Sequence, residues 1–273
     1  MTASGNEYGQ FSKRLPPLPP VAIPWVAIVA GIFMIVTALI ENAQLRGYPE
    51  GAPLHHDLTR PVLAFELPHD RRDIQVTLAP PVPVSQGTSI SDMFYHSLYA
   101  DFLFILSYAT FFLLSLRMLP WTKRLWWLAL AAALFDVAEN VLLIRILDTP
   151  LNSITDATAA TERVVSLTKW AFIALILMAI GWALTKVELK PFARPGTGML
   201  AIVTLLAGII GLTGIVPEFP WPAGWFTNRH IELMTMLSAV YPLVVVGAGL
   251  YGKWRSAPDS SGTRKGSPDV APA

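Results

Sequence analysis

Apolar residues in this chain fall into long, nearly unbroken blocks separated by shorter polar links. They do not follow the two-residue alternation of a half-buried sheet. Six blocks have the length of a membrane-crossing helix: residues 22–42, 94–116, 125–147, 164–185, 198–216 and 229–251. About 20 apolar residues in helical form cross the ~30 Å of bilayer hydrocarbon. The pattern predicts an all-α, polytopic membrane helical bundle of about six transmembrane helices. Residues 21–252 form its transmembrane domain, and residues 1–20 and 253–273, rich in Pro, Ser and Gly, form disordered cytoplasmic tails.

Composition agrees with this reading. Of 273 residues, 53% are hydrophobic and 14% charged, where soluble domains carry about a quarter charged residues. The mean hydropathy is +0.49. The absence of cysteine excludes disulfides, thiol nucleophiles, Cys-ligated clusters and Cys-attached haem. No small-residue cleavage site follows the first block, which therefore reads as an uncleaved span.

The positions of the basic residues set the orientation. Lys13, Arg14, Arg117, Lys123, Arg124, Lys186, Lys190, Arg194, Lys253, Arg255, Arg264 and Lys265 occupy alternate links and tails, 12 of the 20 Lys and Arg. Placing these segments inside satisfies the positive-inside rule and puts both termini in the cytoplasm. Trp25, Trp121, Trp126, Trp127, Trp182 and Trp254 then mark the inner interface, with Trp170, Trp221 and Trp225 at the outer one.

One link is much longer than the others. Residues 43–93 form an external loop of about 50 residues, a length that usually carries structure or function of its own. Within it "DIQVTLAP" alternates Ile74, Val76 and Leu78, which predicts a short strand. "APPVPVSQGTS" reads as an extended, proline-stiffened run, and the rest as a cap over the outer face.

The candidate chemistry lies inside the spans. "ALFDVAENVLLIRIL" places Asp136, Glu139 and Asn140 at i, i+3 and i+4, on one face of the third span. Asp101 interrupts the second span and Lys169 the fourth. Asp101, Glu139 and Lys169 lie on the order of 10 Å inside the outer ends of their helices at ~1.5 Å per residue, with Asp136 deeper. Short links make the three helices antiparallel neighbours, so one polar layer is expected. An ionisable group inside a membrane costs roughly 2.5–3.5 kcal/mol or more to insert, which makes each a functional candidate. The structural alternative is a salt bridge that only ties helices together. An excess of acids over bases favours function, since a structural pair needs one of each and the surplus must be protonated, hydrated or bound to a cation. Arg145 sits a turn from the outer boundary and can snorkel out of this layer.

Other polar residues have more local explanations. Glu41 and Asn42 end the first span, Asn228 reads as an N-cap, and Glu232 as an acid complementing the start of the sixth span. Pro242 predicts a kink there. His55, His56, His69, His96 and His230 all fall outside, but their spacing matches no H-E-x-x-H helix, and neither a metal nor a cofactor is expected. A Ser-His-Asp hydrolase lacks any nucleophile elbow. Ala207/Gly211 and Ala248/Gly252 have the small-xxx-small spacing of close helix contacts.

"AFEL" at 64–67, "DFLF" at 101–104 and "DVAEN" at 136–140, in that order, resemble a group of uncharacterised bacterial multi-pass membrane proteins with F-E-L, D-F-L-F and D-x-x-E-N motifs. The resemblance covers mainly spans one to four and implies a topology and candidate positions without an assigned activity. It also implies a helix in the loop after Glu66, where this chain carries prolines.

The leading functional expectation is a small transporter, channel-like or proton/cation-handling protein using Asp101, Asp136, Glu139, Asn140 and Lys169. One alternative is an intramembrane enzyme on a lipid-like substrate with Glu139 or Asp136 as general base. Another is an accessory or assembly subunit. The expected partner is the lipid bilayer, with a homo-oligomer or larger membrane complex left open and no nucleic acid.

Overall fold

The computed structural model describes residues 22–49, 52, 54, 58–80, 89–119, 121–186, 194–215 and 227–244. Among them every regular element is helical, as the block pattern predicts. Four helices are long and apolar enough to cross a membrane: Trp25–Gln44, Ile90–Met118, Lys123–Leu147 and Asp156–Leu184. Two shorter apolar helices, Met199–Thr213 and His230–Val244, fall where the fifth and sixth spans are expected. Both predicted tails, Ala248/Gly252, His55 and His56 lie outside the described residues, as does the side chain of Asn228.

In chain order the α-helices are α1 (Ala22–Gln44), α2 (Pro61–Glu66), α3 (Arg71–Leu78), α4 (Ile90–Met118), α5 (Trp127–Leu147), α6 (Asp156–Leu184), α7 (Arg194–Ile215) and α8 (Thr227–Ser238). Packing proceeds between neighbours: α1 lies along α4, α4 on α5, α5 on α6, α6 on α7, and α7 on α8. Short links between α4 and α5, and between α5 and α6, force these pairs to run antiparallel.

The outward faces are apolar. Val29, Phe33, Leu106, Leu134, Ile202 and Met199 are among the exposed large hydrophobics. In water such a surface would be costly; against lipid tails it is the expected exterior of a bundle.

Contact between α6 and α7 is close because glycine permits it. A Cβ on Gly181 would lie 2.5 Å from the backbone nitrogen of Leu205, and one on Gly208 would lie 2.6 Å from the carbonyl oxygen of Ala174. Gly211 is similarly pressed by the Met234 side chain of α8. The small face expected around Ala207/Gly211 thus serves packing within the chain.

The long loop departs from expectation. "DIQVTLAP" is not a strand: Arg71–Leu78 is the helix α3. Asp70 caps it, its side chain accepting from the backbone N–H of Arg72 at 2.7 Å and of Asp73 at 3.2 Å, while Asp73 reaches back to the N–H of His69 at 2.7 Å. These reciprocal bonds satisfy the first-turn donors. Ile74, Thr77 and Leu78 form the buried face, a helical spacing that outweighs the 74/76/78 alternation. The helix fits between Pro68 and Pro80, so the prolines bound it. Residues 81–88, most of the proline-stiffened run, lie outside the described residues.

The loop also does more than cap the bundle. Pro61 opens α2, whose Leu63, Ala64 and Phe65, with Leu67 after it, are buried within the bundle. Phe65 packs 4.8 Å from Phe94 of α4, ring centroid to centroid, and Phe94 lies 6.3 Å edge-on to Tyr48. Tyr48 donates to the carbonyl of Thr77 at 3.0 Å, and burial pushes its phenol up to about 12.

Candidate functional site

Each long helix brings polar side chains to one level of the bundle. On α5, Asp136, Glu139 and Asn140 are buried together on one face, as their spacing requires. On α4, Asp101 and Tyr108 are seven residues apart, two helical turns, and share a face. From α6 comes Lys169, 3% exposed.

The ammonium of Lys169 is the hub. Its Nζ lies 3.2 Å from Asp136 Oδ1 and 3.1 Å from Glu66 Oε2, and it donates also to Glu139 Oε2. Tyr108 donates its hydroxyl to Asp136 Oδ2 at 2.7 Å. Asn140 donates through Nδ2 to Asp101 Oδ2 at 2.7 Å. All five residues singled out from the sequence therefore meet in one layer. Arg145, exposed on α5, stays out of it.

Two members were not expected as such. Glu66 belongs to α2, in the loop assigned to the exterior, yet it reaches Lys169. Tyr108 had a signal in the sequence: Asp101, Phe104, Tyr108 and Phe112 follow one helical stripe of α4. The three motifs that carry the resemblance supply Glu66, Asp101, Asp136, Glu139 and Asn140, so they converge in space.

Glu66 shares one ammonium with two other carboxylates. Burial, only partly opposed by Lys169, holds its carboxyl above the ordinary 4.5. Three carboxylates on one ammonium leave two negative charges to be neutralised by protons or by a bound cation if all ionise. At effective dielectrics below that of water this charge imbalance is expensive.

A further acid lies outside the predicted span. The helix α6 begins at Asp156, eight residues before the predicted start of span four, with Thr155 capping it. This brings Glu162 into the same helix, fully buried on the face of Ser166 and Lys169. Neither carboxylate oxygen of Glu162, nor the hydroxyl of Ser166 or Ser97, has a hydrogen-bond partner among the described residues.

Glu232 plays a different part from the one its position suggested. It lies in the second turn of α8, not at its start. Its carboxylate accepts from the backbone N–H of Thr59 at 2.8 Å and of Arg60 at 3.1 Å, and from the Thr59 hydroxyl at 3.0 Å. It thereby supplies the cap that α2 lacks locally, since Arg60 offers no side-chain cap. The helical run is interrupted at Ala239, three residues before Pro242, whose missing N–H would have bonded the carbonyl of Ser238.

Beside the polar layer is a cavity of about 310 Å³ between α1, α4, α6 and α8. Glu41, Arg60, Glu66, Asp101, Asp136 and Lys169 line its polar end, and Met34, Leu39, Phe112, Ile173, Met236 and Leu243 are among its apolar walls. Among the described residues no group of three His, Asp or Glu is placed to hold a metal ion. His69 sits 3.6 Å from Asp73, and His230 lies 3.3 Å from the Thr213 hydroxyl. Comparison with protein-family models, with curated proteins and with solved structures gives no match.

Proposed function

We propose that this membrane protein is a small proton- or cation-handling transporter of the bacterial inner membrane, working through the acids around Lys169. The observation that carries the reading is the crowding of Glu66, Asp136 and Glu139 on one ammonium at the polar end of a cavity. A bridge that only tied helices together would need one acid. Surplus acids that must take up a proton or a cation give the site two charge states, and a ligand that favours one of them couples to proton binding. The placement in a bacterial inner membrane rests on the resemblance of the three motifs to those of bacterial multi-pass proteins.

Reconstituted vesicles with an entrapped pH-sensitive dye test the reading. Protein-dependent proton or cation flux that Asp136→Asn reduces is expected. Vesicles no leakier than protein-free controls under imposed proton and cation gradients would refute it.

The apolar walls of the cavity favour a second reading, an intramembrane enzyme acting on a lipid-like substrate. The proposed bases fit it less well. Asp136 accepts from Tyr108 on Oδ2 and is ion-paired with Lys169 through Oδ1, and Glu139 does not line the cavity. A general base needs a lone pair within reach of the substrate proton.

A further inference from the structure

The cavity changes character along the helix axes. On α1 its lining passes from Glu41 through Ala38 to Met34; on α4 from Asp101 through Phe104 and Tyr108, whose hydroxyl is taken up by Asp136, to Phe112; on α6 from Lys169 to Ile173. These are shifts of about 6–16 Å at ~1.5 Å per residue. Since α1 and α6 each pair with α4 or its antiparallel neighbour α5, the three gradients compare in one frame. They run the same way, polar toward the starts of α4 and α6 and apolar toward the middle of the bundle. An amphiphile lying in a bilayer leaflet has this same order.

Access is from the side. The helices α1 and α8 form the rim, each packed mainly on a different neighbour, α4 and α7. Leu39 of α1 is 65% exposed, and Met236 and Leu243 on the other side are 60% and 54% exposed. Along Leu39, Met236 and Leu243 the rim is apolar and faces the region where lipid tails would lie. A volume of about 310 Å³ holds about ten water-sized groups at ~30 Å³ each. That is enough for a head group and the first part of a chain, with the remainder leaving between α1 and α8.

Charge selects the head group. Lys169 is already shared by three carboxylates, and Arg60 donates to the Thr235 hydroxyl at the rim. Glu41 and Asp101 also line the cavity. Asp101 accepts one hydrogen bond, from the neutral amide of Asn140. Glu41, half-buried, makes no side-chain hydrogen bond or ion pair among the described residues. Neither carboxylate is ion-paired within 4.0 Å among the described residues, and the cavity lining as a whole carries four acids, Glu41, Glu66, Asp101 and Asp136, against two bases, Arg60 and Lys169. A phosphate or carboxylate head would be repelled there; an ammonium would be held.

We propose that the cavity binds a cationic amphiphile, an alkyl amine or alkylammonium compound. It enters sideways between α1 and α8 and sets its head group against Glu41 and Asp101. This specifies the ligand class of the transporter proposed above and rests on that reading.

The test uses the full chain in phosphatidylcholine nanodiscs, with protein-free discs as the partition control. Dodecyltrimethylammonium, dodecanol and dodecyl phosphate share one chain and differ in head group. Binding above the control should favour the cation by about tenfold or more over both others. Glu41→Gln should weaken cation binding several-fold while the thermal transition stays in place, because Glu41 holds no structural partner. Ala38→Phe, which fills the cavity, should weaken all three probes.

Equal binding of the three head groups, a preference for phosphate, or a cation preference untouched by Glu41→Gln would overturn the proposal. Dye-reported flux in vesicles without amphiphile separates the two claims. Flux with no cation-selective binding overturns the ligand class alone; cation-selective binding without any flux, with or without the amphiphile, overturns the transporter reading alone.

Discussion

Lys169 Nζ of α6 stands 3.1 Å from Glu66 Oε2, a residue 103 positions earlier in the loop that joins α1 to α4. The contact fixes a segment read as external to the centre of the polar layer. It also gives the ammonium its third carboxylate. Removing the ammonium should be the most damaging single change in the layer. Lys169→Met is expected to cost about 3–5 kcal/mol, the range for breaking a buried ion pair from one side. Combining it with Glu66→Gln should recover part of that loss, because one stranded acid is removed with its partner. Unfolding in detergent micelles measures both; a double variant no more stable than Lys169→Met would deny the coupling.

Glu66 also sets a pH dependence whose sign is fixed. Its carboxyl in the folded chain is raised above 4.5, by burial first, with Lys169 opposing. The folded state then holds a proton that the unfolded chain has released. Stability from this group is present in full below the ordinary carboxylate value, and is lost as pH rises through the raised one. The difference in melting temperature between the wild type and Glu66→Gln should therefore shift against the wild type as pH increases from about 4.5 upward. A difference that moves the other way over that range would contradict the assignment.

Much of this layer was readable from spacing. Asp136, Glu139 and Asn140 fall on one face by helical geometry alone, and short links make α4, α5 and α6 neighbours. Asp101 and Lys169 could then be placed by counting residues from the helix ends. Glu66 could not be placed in that way. The burial of α2 depends on contacts with residues about 100 and 170 positions away, and no local pattern encodes them. Its F-E-L motif was visible, but nothing in the motif says that it enters the bundle. The helix α3 failed to show for a different reason. A run of eight residues offers too few positions to separate a 3.6-residue period from a two-residue one, and the Asp70 and Asp73 caps decide the matter. Glu162 was missed because a hydropathy window starts where the polar residues stop, whereas α6 continues outward for two more turns.

The clasp between Glu232 and the residues before α2 makes a separate prediction. Glu232→Ala removes the acceptor for the backbone N–H groups of Thr59 and Arg60, a loss of about 1–3 kcal/mol if these donors stay buried. Because α2 carries Glu66, its loosening should be felt in the polar layer. Hydrogen exchange at residues 59–66 should quicken in Glu232→Ala, and less so in Glu232→Gln, which keeps one carbonyl acceptor. Exchange rates in this segment unchanged by Glu232→Ala would show that α2 is held by its apolar contacts alone.

Two glycines of α7 should respond differently to the same change. At Gly208 a Cβ would meet the backbone carbonyl of Ala174 at 2.6 Å, and backbone cannot yield without separating α6 from α7. At Gly211 the nearest atoms belong to the end of the Met234 side chain, which is flexible and can turn aside. Overpacking a fitted contact costs typically about 1–3 kcal/mol. Gly208→Ala is expected within or above that range, since the helices must move apart along the face that also carries Gly181 against Leu205. Gly211→Ala should be milder, and Met234→Ala beside it should remove most of what remains by making room. Unfolding measurements on the two single variants and the Gly211→Ala/Met234→Ala pair decide it. If Gly208→Ala proves as mild as Gly211→Ala, backbone contact does not set the distance between α6 and α7.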